Sequence, residues 1–271
     1  MRYKYLSLLI LAAAVSACDG DLRVSAPPPP PPTVLLKDIV IPNLPSPYYH
    51  FEYDAAGRVS AASFASGFTM YDVSYDGARI SELDNNTAGN RDRLLYIYDD
   101  AGRVTSVRYV NVNGVVSTVL FLSYDGGRLS AIERDRRVAG GFIIDKTMSF
   151  IYYADGNLLE LKEHRPAIDG FQPETTTMDR FEHYDDGINV DGFSLIHNDF
   201  FDHLVLLPAV QLQKGNPRRE TFSGDGDNYT VDYTYTYDAG NRPLTKSGDF
   251  TFLTGQDAGK HFPTLSIFSY Y

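Results

Sequence analysis

The sequence predicts an all-β fold, an antiparallel meander of hairpins that curls into a barrel-like or spiral sheet. Three observations point there. A Tyr-Asp pair, a glycine turn and then arginine or a short apolar run recur along most of the 271 residues. Such repetition is a sign of architecture before it is a sign of function. The residues flanking each copy alternate between apolar and polar, the period of half-buried strands. Strand-forming aromatics are abundant, with 20 tyrosines and 16 phenylalanines.

The good copies are Tyr53-Asp54…Gly57-Arg58-Val59, Tyr75-Asp76-Gly77…Arg79-Ile80, Tyr98-Asp99…Gly102-Arg103-Val104 and Tyr124-Asp125-Gly126…Arg128-Leu129. A fifth is Tyr237-Asp238…Gly240-Asn241-Arg242, and degenerate copies fall at Tyr152 to Leu158 and Tyr184 to Ile188. The longer form, Asp-x-x-Gly, suits a type I turn closed by a left-handed glycine. The shorter form, Asp76-Gly77 and Asp125-Gly126, reads as a two-residue type I′ turn. Arginine just past the turn is expected to stack on the tyrosine across its own strand pair or to pair with the turn aspartate.

Successive tyrosines lie 22, 23 and 26 residues apart over the first four copies. Two strands and two turns fit each interval. The opposite turns are visible at Ala65-Ser66-Gly67, Asn85 to Asn90, Asn113-Gly114 and Ala139-Gly140-Gly141. About fourteen strands result, too many to stay flat because sheets twist. The pattern lapses between Gly187 and Glu220. There, residues 199–207 form a dense apolar run ended by Pro208, read as a short helical or apolar plug against the sheet. Phe200, Phe201, Leu204 and Leu207 are the candidate ligand face, with ordinary core packing as the alternative. Arg218 to Phe222 resumes the sheet, and Thr264 to Tyr271 closes it.

The other end of the chain is an address. Arg2 and Lys4 precede the apolar run Leu6 to Val15, which is too short to span a bilayer comfortably. Val15-Ser16-Ala17-Cys18 resembles a bacterial lipobox, and Cys18 is the only cysteine. The resemblance implies a signal peptide over 1–17 and a diacylglyceryl group on Cys18 that anchors the protein without spanning the membrane. Residues 18–47 read as a tether, with Pro27 to Pro32 forming a polyproline rod of about 20 Å. Val34 to Ile41 is apolar enough to be a first strand, but the sheet domain is expected over 48–271. The membrane is therefore one expected partner, at the cell envelope and most simply at the outer membrane. Its leaflet stays open.

The Tyr-Asp-x-x-Gly-Arg core resembles the YD repeats of the RHS family across Phe51 to Lys246, with gaps. Large RHS toxins and teneurins carry many more repeats and enclose a cargo domain, which this chain has no room for. The closer likeness is to small Gram-negative lipoproteins of unknown function with a YD-like sheet. In those, Lys-x-Asn-Pro and a Tyr-Thr-Tyr-rich strand precede the last repeat. Lys214-Gly215-Asn216-Pro217 and Tyr233 to Tyr237 match. The likeness implies a porin-like or barrel-like curl and brings no activity or site residues.

A formal net charge of −11, more negative once the signal is lost, argues against nucleic acid as a partner. The six histidines, His50, His164, His183, His197, His203 and His261, match no metal-binding spacing and read as surface or turn residues. There is no nucleophile elbow, phosphate loop or dinucleotide fingerprint. Most carboxylates fall in turns. Asp185-Asp186 and Asp225-Gly226-Asp227-Asn228 are weak calcium candidates, for which solvated turns are the simpler reading. No metal or cofactor is expected. The expected function is a non-enzymatic, lipid-anchored module that binds a glycan, peptide or protein ligand. A purely structural or adhesion role and a carboxylate-dependent hydrolase are the alternatives.

Overall fold

The computed structural model describes residues 34–87, 89, 91–197 and 203–271. Among them sixteen strands follow one another around a closed barrel. They are β1 (Leu36–Val40), β2 (Tyr49–Tyr53), β3 (Val59–Phe64), β4 (Thr69–Asp76), β5 (Arg79–Asn85), β6 (Arg93–Tyr98), β7 (Val104–Val110) and β8 (Val116–Asp125). Then come β9 (Arg128–Val138), β10 (Gly141–Tyr152), β11 (Leu158–Arg165), β12 (Thr175–Glu182), β13 (Arg219–Gly224), β14 (Tyr229–Tyr237), β15 (Pro243–Phe252) and β16 (His261–Tyr270). Each strand pairs antiparallel with the next, and β16 pairs with β1. Closure leaves no free sheet edge.

The curled meander of the sequence reading is therefore a complete ring. It has two strands more than the expected count of about fourteen. One is β1, which precedes Tyr48 and lies in the stretch assigned to the tether. It is short but paired on both sides, Ile39 opposite Phe268 and also opposite Tyr49. All three of these side chains are buried.

All the Tyr-Asp turns lie on one rim, where they form a clasp between hairpins. In the longer form the Asp54 N–H donates to the Arg58 carbonyl and the Gly57 N–H to the Asp54 carbonyl. Gly57 and Gly102 sit at φ +74° and +82°, where an L side chain would be strained. Asn241 takes that place in the last copy, at φ +63°, rather than Gly240. The shorter form differs from expectation. Asp76 pairs with Arg79 and Asp125 with Arg128, so the loop residues are Gly77-Ala78 and Gly126-Gly127 and each aspartate ends its strand.

The tyrosine and arginine reach the neighbouring repeat. The Tyr75 hydroxyl donates to the Val59 carbonyl at 2.8 Å, Tyr98 to Ile80 at 2.8 Å, and Tyr124 to Val104 at 2.9 Å. Tyr53, Tyr152, Tyr184 and Tyr270 extend the series to Leu36, Leu129, Leu158 and Pro243. Each arginine stacks on the next tyrosine, not its own: Arg58 lies 4.2 Å from the Tyr75 ring centre, and Arg103 5.1 Å from that of Tyr124. In the longer turns it also pairs with its own aspartate, through Nε at 2.8 Å in both Arg58–Asp54 and Arg103–Asp99. A bulge before each tyrosine, as at Glu52/Tyr53 and Ile97/Tyr98, shifts the register and separates the expected partners.

Much of the wall alternates. Tyr71, Leu83, Leu94, Val107, Ile132, Leu161 and Phe181 face inward and are buried. Their strand neighbours Asp72, Asp84, Arg93, Arg108, Glu133, Lys162 and Arg180 face out. A barrel of sixteen strands is too wide for its wall side chains alone to fill. The filling comes from the lapse in the repeat. The excursion from His183 to Arg218 leaves β12 and returns to β13, although these two strands are direct partners, Glu182 opposite Arg219.

Candidate functional site in the barrel lumen

Among the described residues the lumenal excursion holds one regular turn, a 3-10 turn over Gly192–Ile196. The helical turn thus comes before residues 199–207. Phe200 and Phe201, like Cys18, lie outside the described residues. Leu204 to Leu207 are buried without helical structure. Leu204 has no exposed surface, whereas Leu207 lines a cleft.

Wall tyrosines hold this plug. The Tyr71 hydroxyl accepts from the Leu204 N–H at 3.3 Å and shares a hydrogen bond with His203 Nδ1 at 2.8 Å. The Tyr96 hydroxyl accepts from the Leu206 N–H at 3.1 Å, and Tyr49 bonds His197 Nδ1 at 3.0 Å. His197 and His203 are therefore interior groups, contrary to the surface reading, because the Nδ1 of each meets a wall tyrosine inside the barrel. At the Tyr-Asp rim, Asn157 Oδ1 accepts from the N–H groups of Lys214 and Gly215 at 2.8 and 3.0 Å. Gly215 passes so close to the Asp185 carbonyl that a Cβ would collide with it. This gives the Lys-Gly-Asn-Pro stretch its physical meaning.

Among the described residues, two of the cavities beside the plug are large enough to hold a small molecule. The first, about 350 Å³, lies between plug and wall near the Tyr-Asp rim. Leu36, Phe51, Val59 and Ile80 line it from the wall, and Phe193, Ile196, Leu206 and Leu207 from the plug. The second, about 810 Å³, lies toward the opposite rim and is polar, with arginines in its lining.

Inward charges form a belt on β9 to β15 that the turn-based reading of the carboxylates missed. Fully buried Asp145 accepts from Arg134 and Arg136, and Lys146 lies 3.9 Å from Glu163. Asp179 and Glu220 are diagonal neighbours on the inner face, opposite Phe222 and Phe181 respectively, a placement with backbone positions about 7–8 Å apart. Burial, then the nearby Glu220 and Glu163, push Asp179 up to about 8. Burial also raises Glu220, which accepts from the Tyr233 hydroxyl at 2.7 Å. Such a pair can hold a proton at neutral pH. A signal was present in the sequence: Arg134, Lys146, Asp179 and Glu220 occupy the apolar phase of their strands.

The calcium candidates serve the backbone. Asp225 Oδ2 accepts from the Thr176 N–H at 2.7 Å, and Asp185 Oδ1 from the Gly187 N–H at 3.0 Å.

Fold and lumen together define an antiparallel sixteen-stranded barrel filled by its own chain. The sequence matches no protein-family model, and no curated protein aligns with it. Solved structures share the fold, among them two porin-like proteins. A porin-like protein from Bacteroides vulgatus ATCC 8482 is 13% identical with a TM-score of 0.57, covering 88% of this chain and 99% of that one. A porin-like protein from Bacteroides uniformis ATCC 8492 is 14% identical with a TM-score of 0.55, covering 82% of this chain and 89% of that one.

Proposed function

We propose that the protein is a non-enzymatic barrel of the cell envelope, held at the membrane by lipid on Cys18, that binds a ligand in its plugged lumen. The outer wall carries this reading. Arg108, Glu133, Lys162 and Arg180 face outward midway along their strands. In a bilayer each Arg or Lys near the midplane costs about 2–4 kcal/mol, so the wall suits water and the lipid supplies the membrane link. The fold likeness to porin-like proteins supports an envelope barrel. The tyrosine clasp supports reading the repeats as the RHS type.

The apolar cleft beside Leu207 suits a small uncharged ligand. Radiolabelled palmitate should enter the wild-type protein and not Cys18→Ala, and label in both would sink the anchor. N-phenyl-1-naphthylamine should bind saturably, and Leu206→Arg should remove that binding. Binding unchanged in this variant would place the ligand elsewhere.

The Asp179–Glu220 pair favours a hydrolase as the second reading. Chromogenic glycoside hydrolysis lost in Glu220→Gln would support it, and no turnover by the wild-type protein would dismiss it.

A further inference from the structure

Five aromatic rings run across β13 to β16 near the rim opposite the Tyr-Asp turns. Phe222 stacks on Tyr229 with 4.7 Å between ring centres, and Tyr229 lies 4.2 Å from Phe250. Phe250 meets Phe252 at 4.8 Å, and Phe252 meets Phe262 at 5.8 Å. Register puts the row on the inner face: Phe222 is opposite Asp179, two residues before buried Phe181, and Phe250 is opposite buried Val231. Four of the rings are only half-buried, and Phe262 is 44% exposed. Aromatic surface therefore stays open on the lumenal wall, beyond what core packing uses.

Two carboxylates border this row. Asp179 stands directly across from Phe222, and Glu220 lies two residues before Phe222 on the same strand. Burial, then the charges of Glu220 and Asp179, raise the Tyr229 hydroxyl, so both carboxylates are within electrostatic reach of the row. Glu220 has the Tyr233 hydroxyl as a partner, whereas Asp179 has no hydrogen bond or ion pair among the described residues. Further down the same face the chain's own ammonium is already received by a ring and a carboxylate. Lys246 Nζ lies 4.6 Å from the Tyr233 ring centre and donates to Asp191 Oδ2 at 3.0 Å. Phe222, Tyr229 and Asp179 offer the same combination with no cation in place. Ring faces beside a carboxylate favour ammonium ions with an apolar shell. We propose that this face binds a small organic ammonium ion, its apolar body on Phe222 and Tyr229 and its charge on Asp179. The proposal is independent of the apolar cleft, which has a separate lining near the other rim, and it asks no turnover of the Asp179–Glu220 pair.

Several charged and titratable groups face Asp179. Glu220 comes from β13, and Glu163 from β11, where it pairs with Lys146 and Arg165. Tyr229 and Tyr233 come from β14, Lys246 from β15 and Asp191 from the plug. Asp179, held up to about 8, must give up its proton to receive the cation. Affinity should therefore rise from about pH 6 to about pH 9, and binding at neutral pH should release protons.

Calorimetric titration of the full-length protein in neutral detergent, in two buffers of different ionisation enthalpy, tests the proposal. The probes are benzyltrimethylammonium and benzylamine, with benzyl alcohol as the neutral comparison. At least one cation should bind one to one, about tenfold or more tighter than benzyl alcohol. Asp179→Asn should remove that advantage and the pH dependence. Phe222→Leu, which keeps the carboxylate, should weaken cation binding about fivefold and keeps the test valid if the Asp179 variant misfolds. Neither cation binding tighter than benzyl alcohol, or cation affinity unchanged in either variant, would overturn the proposal.

Discussion

The tyrosine of each Tyr-Asp turn does its work on the repeat before it. Removing one hydroxyl tests that role. Tyr98→Phe takes the donor from the Ile80 carbonyl while keeping the ring under Arg79. We expect a loss of about 1 kcal/mol in urea unfolding. An unchanged midpoint would reduce the clasp to ring packing. Burial raises Tyr53 and Tyr152 to about 12, so these hydroxyls stay neutral donors throughout the physiological range. The turn aspartates act in the opposite sense. Hydrogen bonds from Arg58 and Arg103, backbone first, hold Asp54 and Asp99 below the ordinary carboxylate range. Their contribution is present above pH about 4 and is lost as the pH falls through the lowered folded values. Asp179, raised to about 8, works against folding as the pH climbs. It takes up a proton on folding, so stability declines from about pH 4 to about pH 8 and is then level. Asp179→Asn should remove that decline and raise Tm at pH 8 by several degrees. A variant that keeps the wild-type pH profile would place the titration elsewhere.

Among the elements, the plug explains most of what the repeat does not. Leu204→Ala should cost about 2–5 kcal/mol, because the side chain is fully buried and its cavity cannot refill. Tyr96→Phe leaves the buried Leu206 N–H without its acceptor and should cost about 1–3 kcal/mol. Thermal unfolding of the two variants decides the matter, since a loosely packed plug would tolerate both. The hairpins were legible because turn chemistry is local: Asp54 and Gly57 can be assigned from their own neighbours. The cross-repeat stacking of Arg58 on Tyr75 was not, because a one-residue bulge changes which residues face each other. The plug was legible as an apolar lapse, yet its path was not. Its path depends on contacts such as Tyr71 with His203, separated by 132 residues.

For the whole molecule, the decisive features are closure and the sign of each surface. The barrel-like curl was legible, but the choice between barrel and spiral was left open because β1 is only five residues long and finds its second partner at the far end of the chain. The lumenal charges escaped it because a carboxylate in a strand looks the same whichever face it takes until register is known. Asp179 and Arg180 are adjacent and face opposite sides. The outer wall leads to the central claim, that this barrel stands in water and reaches the membrane through Cys18 alone. Phase partitioning of the Cys18→Ala protein, produced without residues 1–17, tests it most directly. We predict a monodisperse protein in the aqueous phase of a detergent-phase separation, with the wild-type protein, if it carries the proposed lipid, in the detergent phase. Recovery of the unlipidated barrel in the detergent phase would contradict the claim and return the wall to the bilayer.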